Sequence, residues 1–264
     1  MLTMKKSKLF RSKYISEIVF LCGVIVLWQI VYTLGVDVFS IWKAYAMPSP
    51  AGVLKSFALL CQNGSLLPAI GFSLLRGLAG YLISVVAGSI LGFLMNCFPY
   101  LHQNLRPLVM GIQTLPSICW VPFSILWFGL TQQAIIFVVV MGSAFSIAIA
   151  SDNAIRNVPP IYKKAALTMG ATSRQVYREV ILPASFPELI SGLKQGWSFA
   201  WRALMSGEVM TTCIGLGQTL ITGRNLADIN QVMLVMIVII LIGIFIDQMF
   251  FGRLEKYVYQ KRGM

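Results

Sequence analysis

Charge is what this sequence is short of. Only 11% of its 264 residues are charged, against about 25% in an ordinary soluble domain. That leaves too little polar surface to keep the chain in water and excludes a soluble enzyme of this length. Histidine is almost absent: His102 stands alone, so a histidine-based metal or catalytic site lacks material, and the residue is read as a solvated loop position beside Arg106. The cysteines, Cys22, Cys61, Cys97, Cys119 and Cys213, lie far apart with no CxxC pair and no metal-ligand spacing. They read as free apolar packing residues. No GxxxxGKS/T phosphate loop occurs, so an ATP site of that kind is excluded from this chain.

What the chain has in quantity is apolar sequence: 57% hydrophobic residues and a mean hydropathy of +0.77. A bilayer core takes about 20 apolar residues per helix. Six stretches meet that length with few charges: Ile18 to Leu34, Leu78 to Cys97, Leu108 to Gly129, Gln132 to Ala150, Leu189 to Met210 and Val232 to Phe251. The fifth is the least apolar. The expectation is an all-α membrane protein with six transmembrane helices.

The formal net charge of +12 does not point to nucleic acid, because the basic residues cluster in short segments between apolar runs, the pattern of cytoplasmic loops. Lys5, Lys6, Lys8, Arg11 and Lys13 precede the first stretch. No small-x-small cleavage site closes that stretch, so a retained helix with a cytoplasmic N-terminus is expected. Alternation of sides then puts inside the loop with Arg106, the segment with Arg156, Lys163, Lys164, Arg174 and Arg178, and the tail with Arg253, Lys256, Lys261 and Arg262. Outside fall Lys43, Lys55, Arg76 and Arg224. Both termini are expected in the cytoplasm. The organisation reads as a basic N-terminus over 1–17, a first helix and external segment over 18–69, a core over 70–251 containing a cytoplasmic loop over 151–188, and a tail over 252–264.

Small residues recur every fourth position in three stretches: Gly80, Ser84, Gly88 and Gly92; Gly142, Ser146 and Ala150; Gly192, Gly196 and Ala200. Such stripes let helix backbones approach closely in lipid, so these helices are expected to form the packed centre. Pro116 and Pro122 each remove a backbone donor from the third stretch, where a bend or local unwinding is expected. In the cytoplasmic segment, Tyr162 to Met169 reads as a short helix stopped by Gly170. Thr172 or Ser173 caps a second short helix, and Pro183 and Pro187 punctuate the chain before the next span.

Those residues carry a resemblance. The run Lys164-Ala165-Ala166-Leu167-Thr168-Met169-Gly170, followed by Ala171 and then Val180-Ile181-Leu182-Pro183-Ala184, is similar to the cytoplasmic loop of the membrane subunits of binding-protein-dependent ABC importers, written E-A-A, G, I-x-L-P. Lys164 stands where that family most often has glutamate. Within the family the chain most resembles the branch importing nitrate, sulfonate, taurine, bicarbonate or thiamine precursors. The matching stretches are Pro48-Ser49-Pro50, Ser73-Leu74-Leu75-Arg76, Leu115 to Pro122, Trp127-Phe128-Gly129, Ile155-Arg156-Asn157, Gly207-Glu208 and Gly215-Leu216-Gly217. Ala150 and Ala154 stand where the branch commonly has asparagine and glycine.

The resemblance implies a type I importer permease fold and a role in transport rather than catalysis. Its partners would be a second permease subunit in a homodimer, two ATP-binding-cassette subunits that bind ATP and Mg, and an external substrate-binding protein. Lys163, Lys164, Ala165, Ala166, Gly170, Ala171, Leu182 and Pro183 would form the coupling surface for the ATPase. The cargo would be a small anion such as a sulfonate, taurine, nitrate or bicarbonate, or else a neutral thiamine-precursor-like solute.

Ionisable groups inside a span are functional candidates by default. At 100° per residue Trp197, Trp201, Met205 and Glu208 share one face of the fifth stretch, opposite its small residues, with Arg202 about two turns inward of Glu208. That face is expected to line a translocation path. The alternative is that Trp197 and Trp201 pack, Lys194 reaches the cytoplasmic interface and Arg202 pairs within the bundle. Asp247 reads as structural. Two other classes are weighed against an importer subunit: a membrane enzyme, for which the spans offer no convergent catalytic set, and an ATP-independent carrier, for which no internal repeat is visible.

Overall fold

The computed structural model describes residues 16, 19–43 and 45–261. The basic N-terminal cluster, the Ile18 end of the first expected span and Arg262 lie outside the described residues. In chain order the helices are α1 (Val19–Val38), α2 (Pro50–Gln62), α3 (Leu66–Cys97), α4 (Pro99–Gln113), α5 (Ser117–Phe128), α6 (Gln132–Arg156), α7 (Pro160–Thr168), α8 (Leu182–Met210), α9 (Leu216–Asn225), α10 (Ile229–Ile246) and α11 (Gly252–Lys261). There is no strand among the described residues. The all-α membrane architecture expected from composition is the one observed.

Four helical stretches are long and apolar enough to cross a membrane: α1, α3, α6 and the run Ile229–Val258 that joins α10 to α11 through a π turn at Asp247–Phe251. The pair α4 and α5, bent by 98°, makes a fifth if counted as one span. With α8, 29 residues long but carrying Lys194, Arg202 and Glu208, the count reaches six.

Several boundaries differ from the sequence expectation, each for an electrostatic or backbone reason. Helix α3 begins twelve residues before Leu78, because Arg76 is buried and paired rather than an external loop cation. The third stretch is not one helix: the chain breaks at 114–116, ahead of Pro116, and restarts at Ser117. Pro122 sits in the first turn of Val121–Phe128, where a missing N–H costs little. Pro183 does not end a short second cytoplasmic helix. From Ser173 the backbone runs on through a π turn at Val176–Ile181 into α8, and the wider turn takes up the proline. Only α7 is a separate short helix there.

The chain divides into two units, Met1–Leu66 with Leu220–Ile237, and Leu67–Thr219 with Val238–Met264. In the first, Ser49 starts α2 by accepting from the Gly52 N–H at 3.0 Å, while its own N–H donates to Asn230 Oδ1 at 3.0 Å. The Pro48-Ser49-Pro50 run is thus a helix start. Trp28 Nε1 donates to the Pro48 carbonyl at 3.0 Å.

In the second unit the small-residue stripes meet one another. A Cβ added at Gly88 of α3 would lie 2.5 Å from the Ala144 carbonyl of α6, and one at Gly142 of α6 would lie 2.6 Å from the Ala203 Cβ of α8. Gly192 and Gly196 press on Ala150 and Ile147. Ser143 Oγ donates to Ser84 Oγ at 2.8 Å across the same seam. Helices α3, α6 and α8 are the packed centre.

Candidate functional site

Two ends of this centre are tied by buried carboxylates. Glu208, fully buried near the C-terminal end of α8, faces Arg76 of α3, whose Nη1 donates to Oε1 at 2.6 Å. Ser73 Oγ donates to the same carboxylate at 2.7 Å, and the Gly217 N–H donates to Oε2 at 2.9 Å. Ser73 Oγ in turn accepts from the Leu216 N–H at 2.9 Å, so the first N–H groups of α9 are satisfied by side chains of α3 and α8. Arg76 Nη2 donates to the Ile214 carbonyl. A Cβ at Gly215 or Gly217 would fall within 2.6 Å of Glu208 atoms, which is why glycine stands at both positions. Ser73 to Arg76, with Arg76 132 positions away from Glu208, thus form one knot with the neighbouring stretches Gly207-Glu208 and Gly215 to Gly217.

At the other end Asp152 of α6 is fully buried. Arg106 Nη1 of α4 reaches its Oδ2 at 2.6 Å, Arg156 Nε reaches Oδ1 at 2.9 Å, and His102 Nδ1 lies 3.3 Å from Oδ2. His102 is therefore no solvated loop residue; it belongs to α4 and turns in because the carboxylate is there. Lys194 bridges to Asp247 at 3.4 Å and Glu255 at 3.6 Å. That leaves Asp247 with the structural role expected of it.

The face of α8 expected to line a path is divided by the structure. Trp197, Trp201 and Glu208 are buried. Trp197 meets Tyr81 of α3 edge to face at 5.2 Å and stacks on Trp201 at 6.0 Å, and Trp201 Nε1 donates to the Ile239 carbonyl of α10 at 3.2 Å. These residues look into protein because α3 and α10 close over them. Met205 is half-buried and Arg202 exposed. Arg202 does not pair with a carboxylate among the described residues; its Nε donates to the Ser198 carbonyl at 3.2 Å and its guanidinium lies 4.6 Å from the Phe199 ring centroid.

The exposed middle of α8 consists of Gln195, Ser198 and Arg202. With Ser191 and Ser206 these fall at steps of four, three, four and four residues, one helix face. The stripe passes at its N-terminal end into a polar cavity of about 340 Å³ lined by Gln113, Asn153, Glu188, Ser191 and Gln195 among others. At its C-terminal end Ser206 Oγ lies 3.3 Å from Ser117 Oγ, just after the break between α4 and α5. By contrast, the exposed large side chains of α3 and α10 are apolar: Leu75, Leu78, Leu82, Val86 and Ile90 on one, Met236, Ile240, Leu241 and Ile244 on the other. The stripe was legible in sequence as polar residues at helical spacing, and the two tryptophans beside it masked the signal.

The candidates of the 151–188 loop gather on one projection. Lys163, Lys164, Ala165 and Ala166 lie on α7, none of them buried. Gly170 follows at φ +88°, a left-handed position that glycine takes without a Cβ penalty. The Gly170 N–H donates to the Leu167 carbonyl at 3.0 Å and the Ala171 N–H to the Ala166 carbonyl at 3.1 Å, a complete Schellman stop. Thr172 and Gln175 then form a capping box. Leu182 and Pro183 open α8. Ile161, Tyr162, Leu167 and Met169 are exposed around this projection, Met169 at 87%, an apolar surface of the kind that partners cover.

Residues 80–257 match the model of the family described as binding-protein-dependent transport system inner membrane component. A protein named as an ABC transporter permease in Methanocaldococcus jannaschii is 30% identical over 197 residues, 74% of each chain. One named as an aliphatic sulfonates transport permease in Bacillus subtilis is 27% identical over 90% of this chain and 84% of its own. The nitrate import permease of Synechocystis is 23% identical over 96% of this chain and 92% of its own. Among solved structures, a chain of the inward-facing MetNI methionine ABC transporter superposes with a TM-score of 0.59 at 22% identity, covering 73% of this chain and 95% of that one. The fold is thus the type I ABC importer permease fold, as the cytoplasmic loop motif led one to expect. With the family model matching well over half of the sequence, the chain belongs to the binding-protein-dependent transport system inner membrane component family.

Proposed function

We propose that this chain is the permease subunit of an ATP-driven importer in a bacterial inner membrane, both termini cytoplasmic, working as a homodimer. The observation that carries the path is the polar exposed face of α8, set against the apolar exposed faces of α3 and α10. A membrane helix keeps Gln, Ser and Arg on an outer face only where that face meets water or another protein. The cargo, released by an external binding protein, moves along Ser206, Met205, Arg202, Ser198 and Gln195 into the cavity at Glu188 and Asn153. Trp197, Trp201 and Glu208 hold the wall from behind. A small anion is the cargo: the sulfonate and nitrate importers among the relatives support it, as does Arg202, which meets no carboxylate among the described residues.

Energy comes from a partner ATPase that binds ATP and Mg. The projecting helix α7 with Lys163, Lys164, Ala165 and Ala166, its stop at Gly170 and Ala171, and the start of α8 at Leu182 and Pro183 form the surface on which the ATPase docks. Closure of the ATPase on ATP would shift the bundle between two packings by favouring one of them. A direct test is Gly170→Arg or Ala166→Asp. Both positions lie outside the packed core, so membrane insertion should survive while ATPase copurification and uptake are lost. Full uptake with normal copurification in both variants would remove the docking assignment.

A further inference from the structure

One point on the exposed face of α8 is equipped to hold the cargo. Arg202 differs from the other basic residues of the bundle. Arg76, Arg106, Arg156 and Lys194 each meet a carboxylate, whereas Arg202 meets none among the described residues. Its Nε is engaged by the Ser198 carbonyl and its plane rests by Phe199, so the side chain is steadied against its own helix. Both Nη groups are left without a partner among the described residues. An uncompensated guanidinium at membrane depth is costly unless water or an anion meets it.

A second observation falls at the same level. One turn outward, Ser206 Oγ pairs with Ser117 Oγ at 3.3 Å, and Ser117 is the first residue after the break at 114–116, where α4 and α5 meet at 98°. Thr114, Leu115 and Pro116 are exposed. Non-helical backbone at membrane depth is tolerated only where it is buried in protein or lines a water-filled cavity, and transporters commonly hold solutes at broken helices. The break and the free cation therefore mark one wet place, with hydroxyls on both sides of it.

We infer that Arg202, with Ser198, Ser206 and Ser117, forms an anion-holding site part-way along the path, selective for a small oxyanion such as a sulfonate or nitrate. The inference rests on the translocation reading above and adds that the permease, besides the binding protein, reads the charge of the cargo. The two free Nη groups match two oxygens of such an anion in the bidentate manner of guanidinium, and Ser117, or Ser198 or Ser206 turned from the helix carbonyl each now meets, donates to a third. A cation is repelled at this point, and a neutral solute gains no charge-assisted bond.

The test uses the full chain in its complex and needs no knowledge of the natural cargo. Ser198→Cys is exposed to methanethiosulfonate reagents of similar size bearing either a sulfonate or a trimethylammonium group. Peptide mass spectrometry reads position 198 separately, with the exposed native Cys61 as internal reference. Relative to Cys61, the anionic reagent should react faster than the cationic one at position 198 by at least about tenfold, the lower end of focusing by a charged cleft. Arg202→Gln should bring that ratio close to the reference value. Arg202→Lys should keep the ratio but weaken the protection given by millimolar methanesulfonate or nitrate, because an ammonium lacks the fork. An unchanged ratio in Arg202→Gln, with position 198 still labelled, overturns the anion site and leaves the path standing. If neither reagent reaches position 198 while Cys61 is labelled, the path itself fails and the site with it.

Discussion

Glu208 and Arg202 lie on the same helix, six residues or roughly 9 Å apart along its axis, and they are treated in opposite ways. Glu208 is fully buried and engaged by Ser73, Arg76 and Gly217. Arg202 is exposed and meets no acid among the described residues. A charge inside a span is thus not functional merely by being there. The buried one is consumed by architecture, joining α3, α8 and the start of α9; the exposed one is left with donors to spare. The contrast extends across α8, where the buried side carries Trp197, Trp201 and the glycine stripe while the open side carries Gln195 and Ser198.

The contrast predicts graded damage. The largest loss of folded protein should come from Arg76→Ala, which strands the Glu208 carboxylate without its cation, at about 3 to 5 kcal/mol for breaking a buried pair from one side. Detergent-solubilised yield and thermal unfolding would show it. Pairing Arg76→Met with Glu208→Leu should recover much of the yield, since an apolar pair of similar size can replace a buried ion pair. If the single and double variants were equally unstable, the pair would not be the reason that Arg76 matters.

Next comes Gly196→Leu on the packed side. Its new side chain would meet Ile147 of α6 at the closest seam of the bundle, and overpacking of this kind costs roughly 1 to 3 kcal/mol. Size-exclusion profiles at matched expression would report the loss of assembled complex. The smallest structural effect belongs to Arg202→Gln. Its side chain is exposed and its hydrogen bond and ring contact among the described residues are to its own helix, so stability should stay within about 0.5 kcal/mol of the parent, although uptake by the assembled complex should fall. A drop in yield as deep as that of Arg76→Ala would falsify the division of α8 into a structural and an open side.

The end of the bundle at Asp152 offers the same lesson on a smaller scale. Arg106 and Arg156 converge on Asp152, so they are framework, whereas Lys163 and Lys164 project on a helix with no buried residue. All four are alike in sequence: basic residues in short segments between apolar runs.

Much of this protein could be read from order alone. The spans follow from runs of apolar residues, because the bilayer sets a length that any crossing helix must meet. The stop of α7 follows from Gly170, since a left-handed residue there is a local property of one backbone position. The close seam of α3, α6 and α8 follows from glycines and serines at every fourth place, a periodicity that belongs to the helix itself. What order could not supply is the partner of each charge. Arg76 read as an external cation because nothing near it in sequence answers it; its answer, Glu208, lies 132 positions away. His102 and Asp152 were hidden from each other in the same way. Trp197 and Trp201 share a helix face with Glu208, but whether that face meets water or protein depends on where α3 and α10 are placed. Local pattern determines which residues lie together on an element. Only the packing of elements decides which of those faces is covered, and for a charge in a membrane that decision separates a structural tie from a site.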